Sequence, residues 1–394
     1  MTARVARRAS RVRALHATLR LAFAGVLGAT LCVSSARAQA TLPDRYADST
    51  FWRLINDLSE PGGTFRSDNL LSNETSYQWV VPALQLLHRP DAVYLGVAPE
   101  QNFTFIAGLR PKVAFIIDIR RGNLLAHLMY KALFEMSDNR VDFAFRLFGR
   151  ARPSTLPGSA SVEELFTVIG TAPRDSGITR RTLSAIHDRL IKTHGFPLST
   201  EDTSYIGYVY ESFTMAGPGI RYNMGGGFGG GFSGGGRRGF GGMPNYADLM
   251  LETDSLGAKR SYLATDENYR IIKDMQDRNV IIPFTGDFAG PKALRAFGQY
   301  VKDHKATVAA IYVSNVEQYL FQDPSNWKRY YENVRALPTD STTVFIRSAS
   351  QGYGVRMQSV NSRQNELLCP VSAHMKGFDE GRILSYYDVF QFCR

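Results

Sequence analysis

The sequence predicts an α/β fold built on a mostly parallel sheet with helices on both faces, interrupted by a helical insertion and a Gly-rich loop. Three observations carry this expectation. Five short apolar runs stand at 92–97 (AVYLGV), 112–119 (KVAFIIDI), 280–286 (VIIPFTG), 307–313 (TVAAIYV) and 342–348 (TTVFIRS). The first two are apolar on both faces, which suits strands buried between helical layers. Segments of helical period separate the runs, and strands alternating with helices imply parallel pairing. The chain has 394 residues, 44% of them hydrophobic and 21% charged, enough to bury a substantial core and to exclude wholesale disorder, collagen and coiled coil.

Residues 1–40 read as an export signal. Seven Arg and no acid precede or flank the apolar run LAFAGVLGATLCV at 21–33, and Ala38-Gln39-Ala40 supplies a small-x-small cleavage site. The run is too short to span a bilayer as a helix, so no transmembrane segment is expected after cleavage, and the protein is placed in the periplasm or outside the cell. Removing this segment leaves 39 basic against 36 acidic side chains, so the formal charge of +10 is no argument for nucleic-acid binding.

From 41 to 150 come the first helices and the first half of the core. Phe51, Trp52, Leu54, Ile55 and Leu58 recur at helical spacing, and Pro61-Gly62-Gly63 should stop that helix. A polar loop at 64–74 leads to a second helix near 75–87. The stripe Leu124, Leu125, Leu128, Met129, Ala132, Leu133 and Met136 predicts an amphipathic helix after the second strand.

The stretch 151–275 reads as a mostly helical insertion, with helices near 161–169 and 178–194. Within it Gly occupies 14 of the 26 positions 217–242, a composition that resists packing and predicts a surface loop. The core resumes over 276–348. Thr265 caps a helix, Pro291 suits the first turn of another, and Ser325 opens a third. Residues 349–394 form a C-terminal extension holding Cys369 and Cys393, which an oxidising compartment could join or leave as two thiols.

In a parallel α/β sheet, ligands bind beyond the carboxyl ends of the strands. Those ends carry Gly96, Glu100 and Asn102 after the first strand, Asp118 after the second, Asp287 after the third and Asn315 after the fourth. The layout is that of a nucleoside site: a carboxylate closing the second strand can accept both ribose hydroxyls, and one after the third can reach an adenine amine. Asp118 is equally suited to pair with Arg120 or Arg121, and Asp287 to cap a turn. The loop at 59–78, with Glu60, Arg66, Asp68, Asn69, Asn73, Glu74 and Tyr77, is placed to lie over the same edge as a lid or to cap two helices.

The phrases SEPGGTFRSDNLLSNE, VYLGVAPEQNFTFIAGLRPKVAFIIDIRRGNLLAHLMYKALFE and YVSNVEQYLF resemble an uncharacterised bacterial protein family whose Rossmann-like core is similar to class I SAM-dependent methyltransferases. The resemblance implies this fold and a pocket for a cofactor such as SAM, with Gly96 in the glycine loop, Asp118 at the ribose, Asp287 at the adenine and Asn315 orienting a substrate. Two features oppose SAM: Gly96 is followed by Val97-Ala98-Pro99 rather than further glycines, and SAM is a cytoplasmic metabolite.

Other chemistry finds no support. Gly231-Phe232-Ser233-Gly234-Gly235 matches a nucleophile elbow only within low-complexity sequence, and the six histidines after residue 40 have no metal-ligand spacing. Two functions follow as expectations. One is binding of a small nucleoside-like ligand at the strand ends; the other is a non-catalytic envelope interaction protein, with a protein partner and a degenerate cofactor pocket.

Overall fold

The structure is a computed structural model that describes residues 41–65, 67–222, 243–350 and 364–393. Residues 1–40, expected to be an export signal, Arg66 and positions 223–242 of the Gly-rich stretch lie outside the described residues. Residues 41–394 form one unit.

Helix α1 (Asp48–Leu58) buries Phe51, Leu54, Ile55 and Leu58, the stripe read from the sequence, and ends before Pro61. The helix expected at 75–87 is split into a tight 3-10 turn at Tyr77–Val80 and a short α2 (Val81–Gln85) with Pro82 in its first turn. Next come β1 (Ala92–Val97), α3 (Gln101–Leu109), β2 (Val113–Asp118) and α4 (Arg121–Glu135). Every residue of α3 is buried, including Gln101, Asn102 and Thr104, because the helix is enclosed on all sides rather than capping a surface. Edge-on contacts from Phe103 to His127, Tyr130, Phe134 and Tyr262 fix it against α4 and the insertion.

Helix α5 (Arg140–Leu147) closes the first half, and the insertion follows with α6 (Val162–Thr171), α7 (Ser176–His187), α8 (Thr200–Ala216) and α9 (Tyr246–Leu251), α10 (Asp266–Asp277) leading back to the core. Polar caps start all six: Asn139, Ser161, Asp175, Ser199, Asn245 and Thr265 each accept a backbone N–H of the first turn. The insertion packs on the core through a two-pronged Arg121–Asp202 pair, both bonds at 2.7 Å.

The second half supplies β3 (Ile281–Thr285), α11 (Ala293–Asp303), β4 (Thr307–Ser314), α12 (Val316–Leu320), α13 (Pro324–Arg335) and β5 (Val344–Ser350). Helix α11 begins after Pro291, and Asp323 rather than Ser325 caps α13. A strand not expected from sequence, β6 (Gln364–Pro370), follows, then α14 (Val371–Asp379) and a 3-10 segment at Tyr386–Phe392. A Cys369–Cys393 disulfide ties that last segment to β6.

The six strands lie in the order β3-β2-β1-β4-β5-β6. The first five are mutually parallel, and β6 runs antiparallel to β5 with Ser348 opposite Glu366. This is a Rossmann-like mixed α/β sheet whose order reverses between β1 and β4, the position where such sheets open a crevice. Among the described residues no helix is long and apolar enough to cross a membrane, and no group of three or more His, Cys, Asp or Glu is placed to hold a metal ion.

Candidate functional site

All six candidate residues from the sequence lie along the carboxyl edge of the sheet, because parallel strands put their following loops on one side. Asp118 and Asp287 are neighbours there: β2 and β3 are adjacent, and the Gly286 amide donates to the Asp118 carbonyl at 2.8 Å. Gly96, Glu100 and Asn102 gather at the end of β1, and Asn315 stands across the reversal point at the end of β4.

The β1 loop is occupied by the protein itself. Asn102 is fully buried, and its Nδ2 donates to the carbonyls of Val97, Ala98 and Pro99 at 2.8, 3.1 and 2.7 Å. Its Oδ1 accepts the Tyr94 hydroxyl at 2.7 Å. A Cβ on Gly96 would stand 1.9 Å from that Oδ1 and 2.6 Å from the Tyr94 hydroxyl, so the glycine is needed to seat Asn102. Ala98 adopts a left-handed φ of 65°, and the His127 Nε2–H donates to the Ala98 carbonyl at 3.0 Å. Burial pushes the His127 imidazole down to about 4, which keeps it neutral.

Asp118 is paired with Arg120. The guanidinium donates Nε to Oδ1 at 3.0 Å and a terminal NH2 to Oδ2 at 2.9 Å, and the Arg120 amide adds a bond to Oδ1 at 2.8 Å. Both side chains are buried. Asp287 closes a turn by accepting the Ala289 amide at 2.9 Å. Asn315 is half-buried, with Oδ1 within 3.4 Å of the Ser314 hydroxyl and Nδ2 within 3.4 Å of Gln318 Oε1.

The loop from Ser59 to Ser76 crosses this edge. The Glu60 amide donates to the Thr285 carbonyl at 3.0 Å and that of Gly63 to Ile119 at 2.8 Å, while Arg120 reaches the carbonyls of Ser67 and Asp68. The Glu60 carboxylate accepts the amides of Asp287 and Lys292 at 2.8 and 3.1 Å, at the start of α11 where negative charge is favoured. Glu74 reaches deepest. Its Oε2 accepts Gln101 Nε2 at 2.6 Å and the Tyr312 hydroxyl at 2.7 Å, and its Oε1 accepts the Ser314 hydroxyl.

Three further acids surround this point, and sequence reasoning had assigned a role only to Glu100. The Glu100 carboxyl is fully buried, with one oxygen 3.5 Å from the Ser72 amide and the other without a partner among the described residues. Burial pushes it up to about 8. Glu252, beyond α9, accepts the Ser76 amide at 2.5 Å and is pushed by burial to about 7. Glu366 on β6 is fully buried beside Glu74 and Ser348, and is pushed well above the carboxylate range by burial and then by the charge of Glu74. Glu366 gave no sequence signal: it lies in the extension, almost 300 positions from Glu74.

The family of this sheet and edge is found by comparison. A domain of unknown function, DUF7790, matches residues 70–156 and 238–375, more than half of the chain. The chain belongs to this family. The two matched segments carry all six strands together with Glu74, Glu100, Asn102, Asp118, Glu252 and Glu366, and the unmatched stretch between them falls within the helical insertion. This agrees with the expectation of an uncharacterised family, and the match names no methyltransferase. The curated proteins contain no match to the chain.

Proposed function

We propose that this DUF7790 protein is exported and acts as a non-catalytic interaction protein, its methyltransferase-like core serving as a scaffold whose cofactor crevice is closed. One observation carries the reading: the Asn102 carboxamide fills the space over Gly96 and binds all three loop carbonyls, where a cofactor would need that room. Pro99 also removes an amide donor from the loop. A ribose would have to displace Arg120 from Asp118, and breaking a buried pair costs about 3–5 kcal/mol. The Cys369–Cys393 disulfide and the reading of residues 1–40 support an oxidising compartment without SAM.

Calorimetric titration of the mature protein with SAM and S-adenosylhomocysteine tests the closed crevice. The expected result is no heat at millimolar ligand, and saturable heat overturns it. N-terminal sequencing after secretion tests export, with Thr41 expected as the first residue.

A second reading is a nucleoside-like ligand admitted when the Ser59–Ser76 loop lifts. It is favoured by the unpartnered oxygen of Glu100 beside the reversal point, and by left-handed Ala98 and Ser314 flanking it. Heat with adenosine or SAM that Asp118→Asn abolishes would establish this second reading in place of the first.

A further inference from the structure

Away from the sheet edge, a cleft of about 380 Å³ lies between α5, the segment that follows it, and α7. It is lined by the guanidinium-bearing residues Arg146, Arg150, Arg152 and Arg181 and by a single acid, Asp142. We propose that this cleft binds a small phosphate-bearing molecule, its doubly charged oxyanion held by the arginines and its apolar part by the wall of Phe145 and Ile178.

The charge in the cleft is under-compensated. Asp142 is engaged by Arg146, Nε to Oδ2 at 3.1 Å. Arg150, half-buried at the base of the segment, is held by carbonyls alone: Nε donates to Ala172 at 3.0 Å and a terminal NH to Thr214 at 3.3 Å, with Phe148 a further acceptor. Gly217 packs against it, since a Cβ there would stand 2.4 Å from the guanidinium. Carbonyl dipoles fix the group in place without cancelling its charge. Arg174, bridged to Arg150 backbone to backbone, adds a further cation; burial and then this charge hold Arg150 below the usual guanidinium range. Arg152 and Arg181 are exposed; Arg152 donates Nε and a terminal NH2 to the Leu156 carbonyl at 3.2 and 2.8 Å, and no ion pair to either is present among the described residues.

Four arginines line one small volume, and an oxyanion can accept N–H donors from several directions. The apolar wall adds a preference that free phosphate cannot use, and the volume lies in the range of small-molecule sites. None of these residues touches the strand-edge residues discussed above, so this inference stands or falls independently of the closed crevice.

The test is calorimetry of the purified protein in about 0.15 M NaCl, where long-range charge attraction is screened. The probes are inorganic phosphate, pyrophosphate and phenyl phosphate. Phenyl phosphate is expected to bind saturably and more tightly than inorganic phosphate. Arg152→Ala and Arg181→Ala, both at exposed positions, should each weaken it about tenfold, in line with the loss of a charged hydrogen bond. Arg180→Ala, an exposed neighbour on α7 outside the cleft, should change it less than about twofold. Circular dichroism melting of each variant confirms that it folds. The proposal is overturned if no probe saturates below about 10 mM, or if Arg180→Ala weakens binding as much as Arg181→Ala, which would mark diffuse attraction to a basic surface.

Discussion

Glu100→Gln should stabilise this protein, and by an amount that depends on pH. The carboxyl of Glu100 is fully buried and is pushed by burial from an ordinary 4.5 to about 8. The unfolded chain releases this proton near the ordinary value, whereas the folded chain keeps it. The group's contribution is therefore complete below pH 4.5 and is lost as pH rises toward 8. Each unit of that interval costs about 1.4 kcal/mol, so at pH 7 the wild type has lost about 3 kcal/mol at this one residue. Glutamine keeps the length and an acceptor for the Ser72 amide, and does not titrate. Urea unfolding of both proteins between pH 4 and 8 reads the difference. The curves should coincide within about 0.5 kcal/mol near pH 4 and separate by about 3 kcal/mol at pH 7, with equal slopes against denaturant. A difference that stayed constant over the whole range would refute the reasoning, because it would mean the group does not change its proton binding on folding.

The other expectations are read in similar assays. Asp118→Asn leaves the buried Arg120 guanidinium without its charge partner and should cost about 3–5 kcal/mol in urea unfolding; a loss below about 1 kcal/mol would show that the pair does not hold the edge together. Gly96→Ala should cost about 1–3 kcal/mol through its overlap with Asn102, and should cost clearly less when made in an Asn102→Ala background, as coupled neighbours require. His127, held down at about 4 from 6.5, gives stability that is present above pH 6.5 and lost as pH falls toward 4. His127→Gln should flatten that part of the acid limb, and an unchanged slope would count against a buried neutral imidazole. Replacing both Cys369 and Cys393 by Ser opens a loop of 24 residues and should cost about 3 kcal/mol; thiol titration of the unfolded, unreduced mature protein should find no reactive group.

What the sequence could reveal follows from how local each cause is. The five parallel strands were readable because burial on both faces demands an unbroken apolar run, and AVYLGV or TVAAIYV can satisfy little else. Strand β6 was not, because QNELLCP carries buried Asn365 and Glu366 among its apolar residues; it pairs with β5 despite them, with Glu366 driven toward its neutral form. Helix α3 was readable only as a crossover of suitable length, since Gln101, Asn102 and Thr104 look like a solvent face until Tyr94, Glu74 and the β1 loop are brought around them. The same distinction governs the site. That Gly96, Asp118, Asp287 and Asn315 share one edge follows from parallel strands and needs no knowledge of their partners. Whether that edge is open depends on where distant polar groups are sent: Arg120, two positions from Asp118, turns back onto it, and Glu74 arrives from a loop whose composition suits capping as well as covering. Residue type and strand position thus select candidates for ligand contact, but the competing internal partner decides, and at Asn102 and Asp118 that partner is a neighbour in the chain.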